Sequence, residues 1–100
     1  FMYRAMCFAR NDKSELPGFD ENEFAAEAMA DLKSKGQLLN EYIAVHKSTI
    51  MFYNTLPNEA MDRKGRASGN EFTIKSIAHI IAGHIQHHLS VIEERYLPNL

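Results

Sequence analysis

The stretch that decides the fold is TIKSIAHIIAGHIQHHLSVIEERYLP, residues 73–98. Thr73 is a suitable helix N-cap, the apolar side chains that follow recur at helical spacing, and Pro98 ends the segment. The pattern predicts a long amphipathic helix over residues 74–96. This helix carries four of the five histidines in the chain, so we expect the functional residues to lie on it.

Two of these histidines are separated by one helical turn. His84 and His88 lie only about 40° apart around the axis, on the face that also carries Ile77, Ile81 and Val91 and should point inward. A buried polar ring without a partner costs about 1–3 kcal/mol, whereas an i, i+4 histidine pair can share one divalent ion at about 2.0–2.1 Å. We therefore predict that His84 and His88 are metal ligands. The alternative is that both rings hydrogen-bond to neighbouring carbonyl or carboxylate groups.

Other side chains are candidates for secondary roles. His87 lies about 60° from His84 and is either a group beside the metal, a proton carrier or a histidine at the edge of the core. His46 lies on the apolar stripe of an earlier helix, where a satisfied core histidine is the default and a third ligand the alternative. Tyr42 is a core aromatic or lines a pocket beside the metal. Ile85 stands where a zinc peptidase of the zincin type has its general-base glutamate, which argues against that class.

Three further helices are predicted upstream, over residues 1–10, 21–32 and 35–56. Asp20 and Ser34 provide the N-caps of the last two, and Phe19 and Phe24 are spaced as a hydrophobic staple. Residues 62–72 contain two glycines, a serine and an asparagine, which indicates a loop. Since no run alternates long enough for a strand, we predict an all-α chain with a single domain over residues 1–100.

The composition restricts the function classes. Eleven basic and 13 acidic residues give a net charge of −2, which argues against nucleic acid and against an anionic membrane surface as partners. No apolar run approaches the ~20 residues that span a bilayer. The single cysteine, Cys7, fits a reducing compartment, so we expect a cytoplasmic protein.

Several stretches of the chain resemble one known protein family. GHIQHHLSVIEERYL (83–97), preceded by ASGNEFTIKSIAHIIA (67–82), resembles the last helix of the DinB-like metal-binding proteins. Tyr3-Arg4-Ala5, then Phe8-Ala9-Arg10 and LPGFDENEF (16–24), extend the resemblance to essentially the whole chain. The resemblance implies an up-and-down four-helix bundle whose divalent metal is held by three histidines, one on the second helix and two on the fourth.

The fourth-helix ligands of that pattern fall on His84 and His88. The chain begins with Phe1 rather than Met, and we interpret it as a fragment that lacks the first helix, most of the second, and the third ligand upstream of Phe1. A missing helix would expose apolar surface, so a homo-oligomer, most simply a dimer, is expected.

The resemblance implies either a metal-dependent hydrolase or a thiol-dependent transferase or isomerase, with a thiol or another small molecule as substrate. A metal- or small-molecule-binding module without catalysis and a purely structural helical protein are the alternatives. Zinc or nickel is the expected ion, and iron or manganese would also fit imidazole ligands.

Overall fold

The computed structural model describes residues 1–99 and combines four helices with a small three-stranded sheet. The helices are α1 (Met2–Ala9), α2 (Glu21–Glu27), α3 (Lys35–Asn54) and α4 (Ile74–Val91). The strands are β1 (Glu15–Leu16), β2 (Lys64–Ala67) and β3 (Asn70–Thr73). Short 3₁₀ turns follow α2 and α3, and α4 continues as a wider π-helical turn over Ile92–Tyr96.

The predicted helix starts are confirmed by their caps. The Asp20 carboxylate accepts hydrogen bonds from two amides of the first turn of α2, and Ser34 and Gln37 cap each other reciprocally at the start of α3. Thr73 forms the same reciprocal box with Ser76 at the start of α4. Each cap satisfies amide groups that have no partner within the helix, which is why these residues set the boundaries.

The second helix is shorter than predicted. Phe19 and Phe24 do stack, with ring centroids 4.8 Å apart, so the predicted staple is confirmed. However, α2 ends at Glu27, and Met29 adopts a left-handed backbone with φ of 55°. A single 3₁₀ turn over Ala30–Leu32 replaces the predicted last turn of the helix.

The prediction of an all-α chain is confirmed only in part. The chain is mostly helical, but residues 62–72, predicted as a loop, contain most of a β-hairpin. β2 and β3 pair antiparallel, and Ser68 and Gly69 between them both have positive φ, 53° and 78°. Two such residues form the tight turn that suits a hairpin, so the glycine and serine mark a turn between strands. β1 adds to β2 in parallel, with Glu15 opposite Arg66.

The hydrophobic core lies where α1, the sheet and the first half of α4 meet. The buried apolar residues are Ala5, Phe8, Leu16, Ala60, Ala67, Ile74 and Ile77. By contrast, none of residues 35–54 of α3 is buried, and α4 has no buried residue beyond Ile77. The molecule is mostly helical. Its core lies at one end of α3 and α4. None of the helices within residues 1–99 is long and apolar enough to cross a membrane.

Candidate metal centre

The two predicted ligands meet on the second half of α4. The Nε2 atoms of His84 and His88 lie 2.9 Å apart, and the ring centroids are 4.4 Å apart with the ring planes at 87°. Both residues are exposed, although Ile77 on the same face is buried and Ile81 and Val91 are half-buried. The predicted inward face is thus covered only over its first two turns, because the core does not extend past Ile81. The expected burial of the two rings is not observed.

The separation of the two nitrogens fits a shared metal ion. At about 2.0–2.1 Å from one ion, two imidazole nitrogens lie about 2.9 Å apart at a right angle and about 3.3 Å apart in a tetrahedron. The observed 2.9 Å between the Nε2 atoms lies at the lower end of that range. The same 2.9 Å separation is also a hydrogen-bond distance, and the tautomers of the two rings decide which Nε2 is the donor. Within residues 1–99, no group of three or more His, Cys, Asp or Glu side chains is arranged to hold a metal.

A cavity of about 580 Å³ opens in front of the pair. Besides His84 and His88, its walls include Phe1, Arg4 and Phe19. The rings of Phe1 and His84 are in edge-to-face contact, with their centroids 5.2 Å apart. The volume is in the range of small-molecule sites, about 300–1,000 Å³.

Charged and polar groups complete the cavity walls. Glu21 from the first turn of α2 and Ser68 from the hairpin turn both line it. Arg4 is half-buried, and its Nη2 donates to the Pro17 carbonyl at 3.2 Å and to the Ser68 hydroxyl at 3.1 Å. A cation, a carboxylate and two imidazoles therefore surround one space.

The other predicted candidates lie beside this site. The rings of Tyr42 and His46 stack at 5.8 Å, and with His84 they line a separate cavity of about 200 Å³ between α3 and α4. His46 also lines a third cavity, of about 300 Å³, whose walls come from α3 and α4. His87 is exposed, and its ring centroid lies 5.7 Å from that of His88. The structure thus places all three near the pair, but among residues 1–99 no third imidazole joins the two Nε2 atoms.

Comparison with known families places the chain that carries this histidine pair. The family model of the DinB superfamily matches residues 1–92. The chain belongs to the DinB superfamily. No curated protein and no solved structure matches it. DinB membership agrees with the resemblance carried by the GHIQHH segment, and the match extends to α1, whose Arg4 lines the main cavity.

Most of the cavity around the pair cannot be predicted from the sequence. Arg4 belongs to the DinB resemblance alone, and the sequence indicates for Glu21, Phe19 and Ser68 only a helix start, a staple and a loop. These residues come from three separate segments of the chain. The one signal available in the sequence was Arg4 itself, a charged residue in the otherwise uncharged helix Met2–Ala9.

Proposed function

We propose that His84 and His88 bind one divalent metal ion and that this DinB-superfamily chain acts as a metal-dependent hydrolase or a thiol-dependent transferase. We propose in addition that the helices belong to an up-and-down four-helix bundle. The observation that carries the proposal is the 2.9 Å separation of the two Nε2 atoms at the edge of a cavity. Zinc or nickel is the first choice of ion, and iron or manganese would also fit.

Two imidazoles leave several coordination positions open. Those positions would be taken by ligands from outside the described residues, by water or by substrate. A bound divalent ion lowers the pKa of a coordinated water or thiol, which supplies a nucleophile at neutral pH. The chain itself contributes orientation, because α4 holds both rings on one face, and Phe1 packs against His84.

The alternative is a metal- or small-molecule-binding module without catalysis. The exposure of both rings supports it, because solvent surrounds the site and a reaction that needs a dry pocket would be disfavoured. The two functions differ in whether the bound ion exchanges a ligand. A cobalt-substituted protein whose visible spectrum changes on addition of a small thiol supports the transferase, and an unchanged spectrum supports the module.

Metal binding itself is tested with three single variants on α4. We expect His84→Ala and His88→Ala each to weaken zinc affinity by more than about tenfold. His79→Ala is the control, since His79 is an exposed histidine on the same helix and should leave the affinity unchanged. Affinities are measured by competition with a chromogenic chelator. Equal zinc affinity in all three variants would refute the site.

A fourth variant tests the histidine on α3. His46→Ala should keep nearly the full affinity for zinc, because His46 stacks on Tyr42 and is not in contact with the two Nε2 atoms. A loss of more than about tenfold would make His46 the third ligand and would place the ion between α3 and α4.

A further inference from the structure

We propose that Arg4 is a carboxylate-binding residue and that the ligand of the cavity is a small organic carboxylate with an apolar body. This deepens the proposed function, because it names the substrate class for the same cavity. The carboxylate contact itself does not require the metal. Arg4 and the histidine pair lie on different helices but line one space of about 580 Å³.

The guanidinium of Arg4 is held in place by neutral groups only. Its Nη2 donates to the carbonyl of Pro17 and to the hydroxyl of Ser68. Its Nε and Nη1 atoms have no hydrogen-bond partner among residues 1–99, and within the same residues no carboxylate oxygen lies within 4.0 Å of it. A half-buried cation is thus positioned by the fold, and its charge is left without an anion.

The two groups that hold Arg4 are themselves packed together. A Cβ atom built on Gly18 would lie 2.7 Å from the Ser68 Oγ, so the Pro17–Gly18 segment and the hairpin turn are in close contact. A charged side chain fixed in this way binds an anion with less loss of side-chain entropy than a mobile one. If Arg4 served only to join the two segments, its charge would be unnecessary, because both acceptors are neutral.

The other walls indicate a carboxylate with an apolar body. A guanidinium binds carboxylates and phosphates well, but Glu21 also lines the cavity and repels a dianionic phosphate more than a monoanionic carboxylate. Phe1 and Phe19 provide aromatic surface for the rest of the ligand. A ligand anchored at Arg4 would direct its other end, carrying a thiol or a hydrolysable group, toward His84 and His88.

The test uses the metal-free protein at one fixed pH. The probes are 3-phenylpropionate, its neutral amide 3-phenylpropionamide, and phenyl phosphate, and binding is followed by amide chemical shifts in NMR titrations. We expect the carboxylate to bind at least tenfold more tightly than the amide and more tightly than phenyl phosphate. Equal binding of acid and amide, or no binding of either, would overturn the proposal. Tighter binding of phenyl phosphate would assign a phosphate ester instead.

Variants separate an anion-binding role from a structural one. Arg4→Gln keeps hydrogen-bond donors for Pro17 and Ser68 but should reduce carboxylate affinity to the level of the amide. Arg4→Lys should recover part of the lost affinity. The control is Arg10→Gln, because Arg10 is exposed and is not among the cavity residues. If Arg4→Gln bound 3-phenylpropionate as tightly as the unmodified chain does, Arg4 would be only a link between two segments.

Zinc titrations keep this proposal distinct from the metal proposal. Arg4→Gln should leave zinc affinity unchanged. The unmodified chain could fail to bind zinc and still bind the carboxylate more tightly than Arg4→Gln does. In that case the metal site is refuted and the anion site stands. Carboxylate binding that disappears with His84→Ala would show that the imidazoles, and not Arg4, attract the anion.

Discussion

The ring of Phe8 lies directly against the backbone of Gly65. Phe8 is fully buried on α1, and a Cβ atom built on Gly65 of β2 would lie 1.9 Å from its Cδ1 atom. The strand approaches the helix this closely only because residue 65 has no side chain. Phe8 belongs to the same buried cluster as Ala5, Ala67 and Ile74, so this contact is part of the core.

Replacing Gly65 with alanine should therefore destabilise the fold. The added methyl group must displace either the Phe8 ring or β2, and forcing extra volume into a packed core costs about 1–3 kcal/mol or more. We expect Gly65→Ala to lower the free energy of unfolding in urea by at least that amount. A variant as stable as the unmodified chain would mean that β2 does not pack on α1 as described.

Gly83 provides the matched control for this prediction. It lies inside α4, and a Cβ atom built on it would meet nothing within 4 Å. An alanine there removes the helix penalty of glycine, so Gly83→Ala should raise the free energy of unfolding by up to about 1 kcal/mol. The same glycine-to-alanine change is thus expected to have opposite signs at the two positions.

Tyr53 should make the free energy of unfolding depend on pH in the alkaline range. Its hydroxyl donates to the Ile74 carbonyl at 2.9 Å, and burial raises the pKa of the phenol. Because the pKa is higher in the folded chain, this contribution is fully present below the unfolded value of about 10 and is lost as the pH rises above it. Tyr53→Phe should cost about 0.5–1.5 kcal/mol at neutral pH.

Urea unfolding at several pH values between about 7 and 11 checks the prediction. The stability of the unmodified chain should decline through the upper part of this range, and that of Tyr53→Phe should decline less, so that the two curves converge. Parallel curves would show that the Tyr53 phenol does not titrate differently in the folded and unfolded chains.

The helices and the histidine pair could be predicted from the sequence because both depend on local spacing. Asp20, Ser34 and Thr73 cap amides within their own next turn, and His84 and His88 meet because residues four apart on a helix are neighbours. None of these features requires knowledge of distant segments. The helix starts and the adjacency of the two rings agree with the prediction, whereas the role of the pair as metal ligands stays a prediction.

The hairpin and the cavity could not be predicted because they depend on contacts between distant segments. The inward positions of β2 are Gly65 and Ala67, which are too small to give an alternating hydrophobic pattern, although they fit against Phe8. Arg4 and Ser68 are 64 positions apart in the chain yet share a hydrogen bond. The exposure of His84 and His88 has the same origin, because how far the core extends along α4 depends on what packs against it.

The apolar surface of α3 should cause self-association. Seven large apolar side chains on this helix are exposed: Leu38, Leu39, Tyr42, Ile43, Val45, Ile50 and Met51. Large exposed apolar patches mark interaction surfaces, and Leu39, Ile43 and Ile50 are spaced along one face. We propose a second copy of the chain as the partner and expect a mass of twice the chain in sedimentation equilibrium at tens of micromolar.

A double variant with lysine at two of these positions, Leu39→Lys and Ile43→Lys, should be monomeric under the same conditions. Ser48→Lys is the control, because Ser48 is an exposed polar residue of α3 and the change adds charge without removing apolar surface. Circular dichroism must show that helix content is kept in both variants. A monomeric unmodified chain, or a double variant that remains dimeric, would contradict the predicted interface.

Zinc should stabilise the fold through the histidine pair. Binding of an ion to the folded chain alone adds about 2.7 kcal/mol to the free energy of unfolding when free zinc is 100 times its dissociation constant. Urea unfolding with and without zinc measures this effect. A double variant, His84→Ala with His88→Ala, should show no stabilisation by zinc. Stabilisation by zinc that persists in the double variant would point to carboxylate ligands, with Glu21 on the cavity wall the first to be tested.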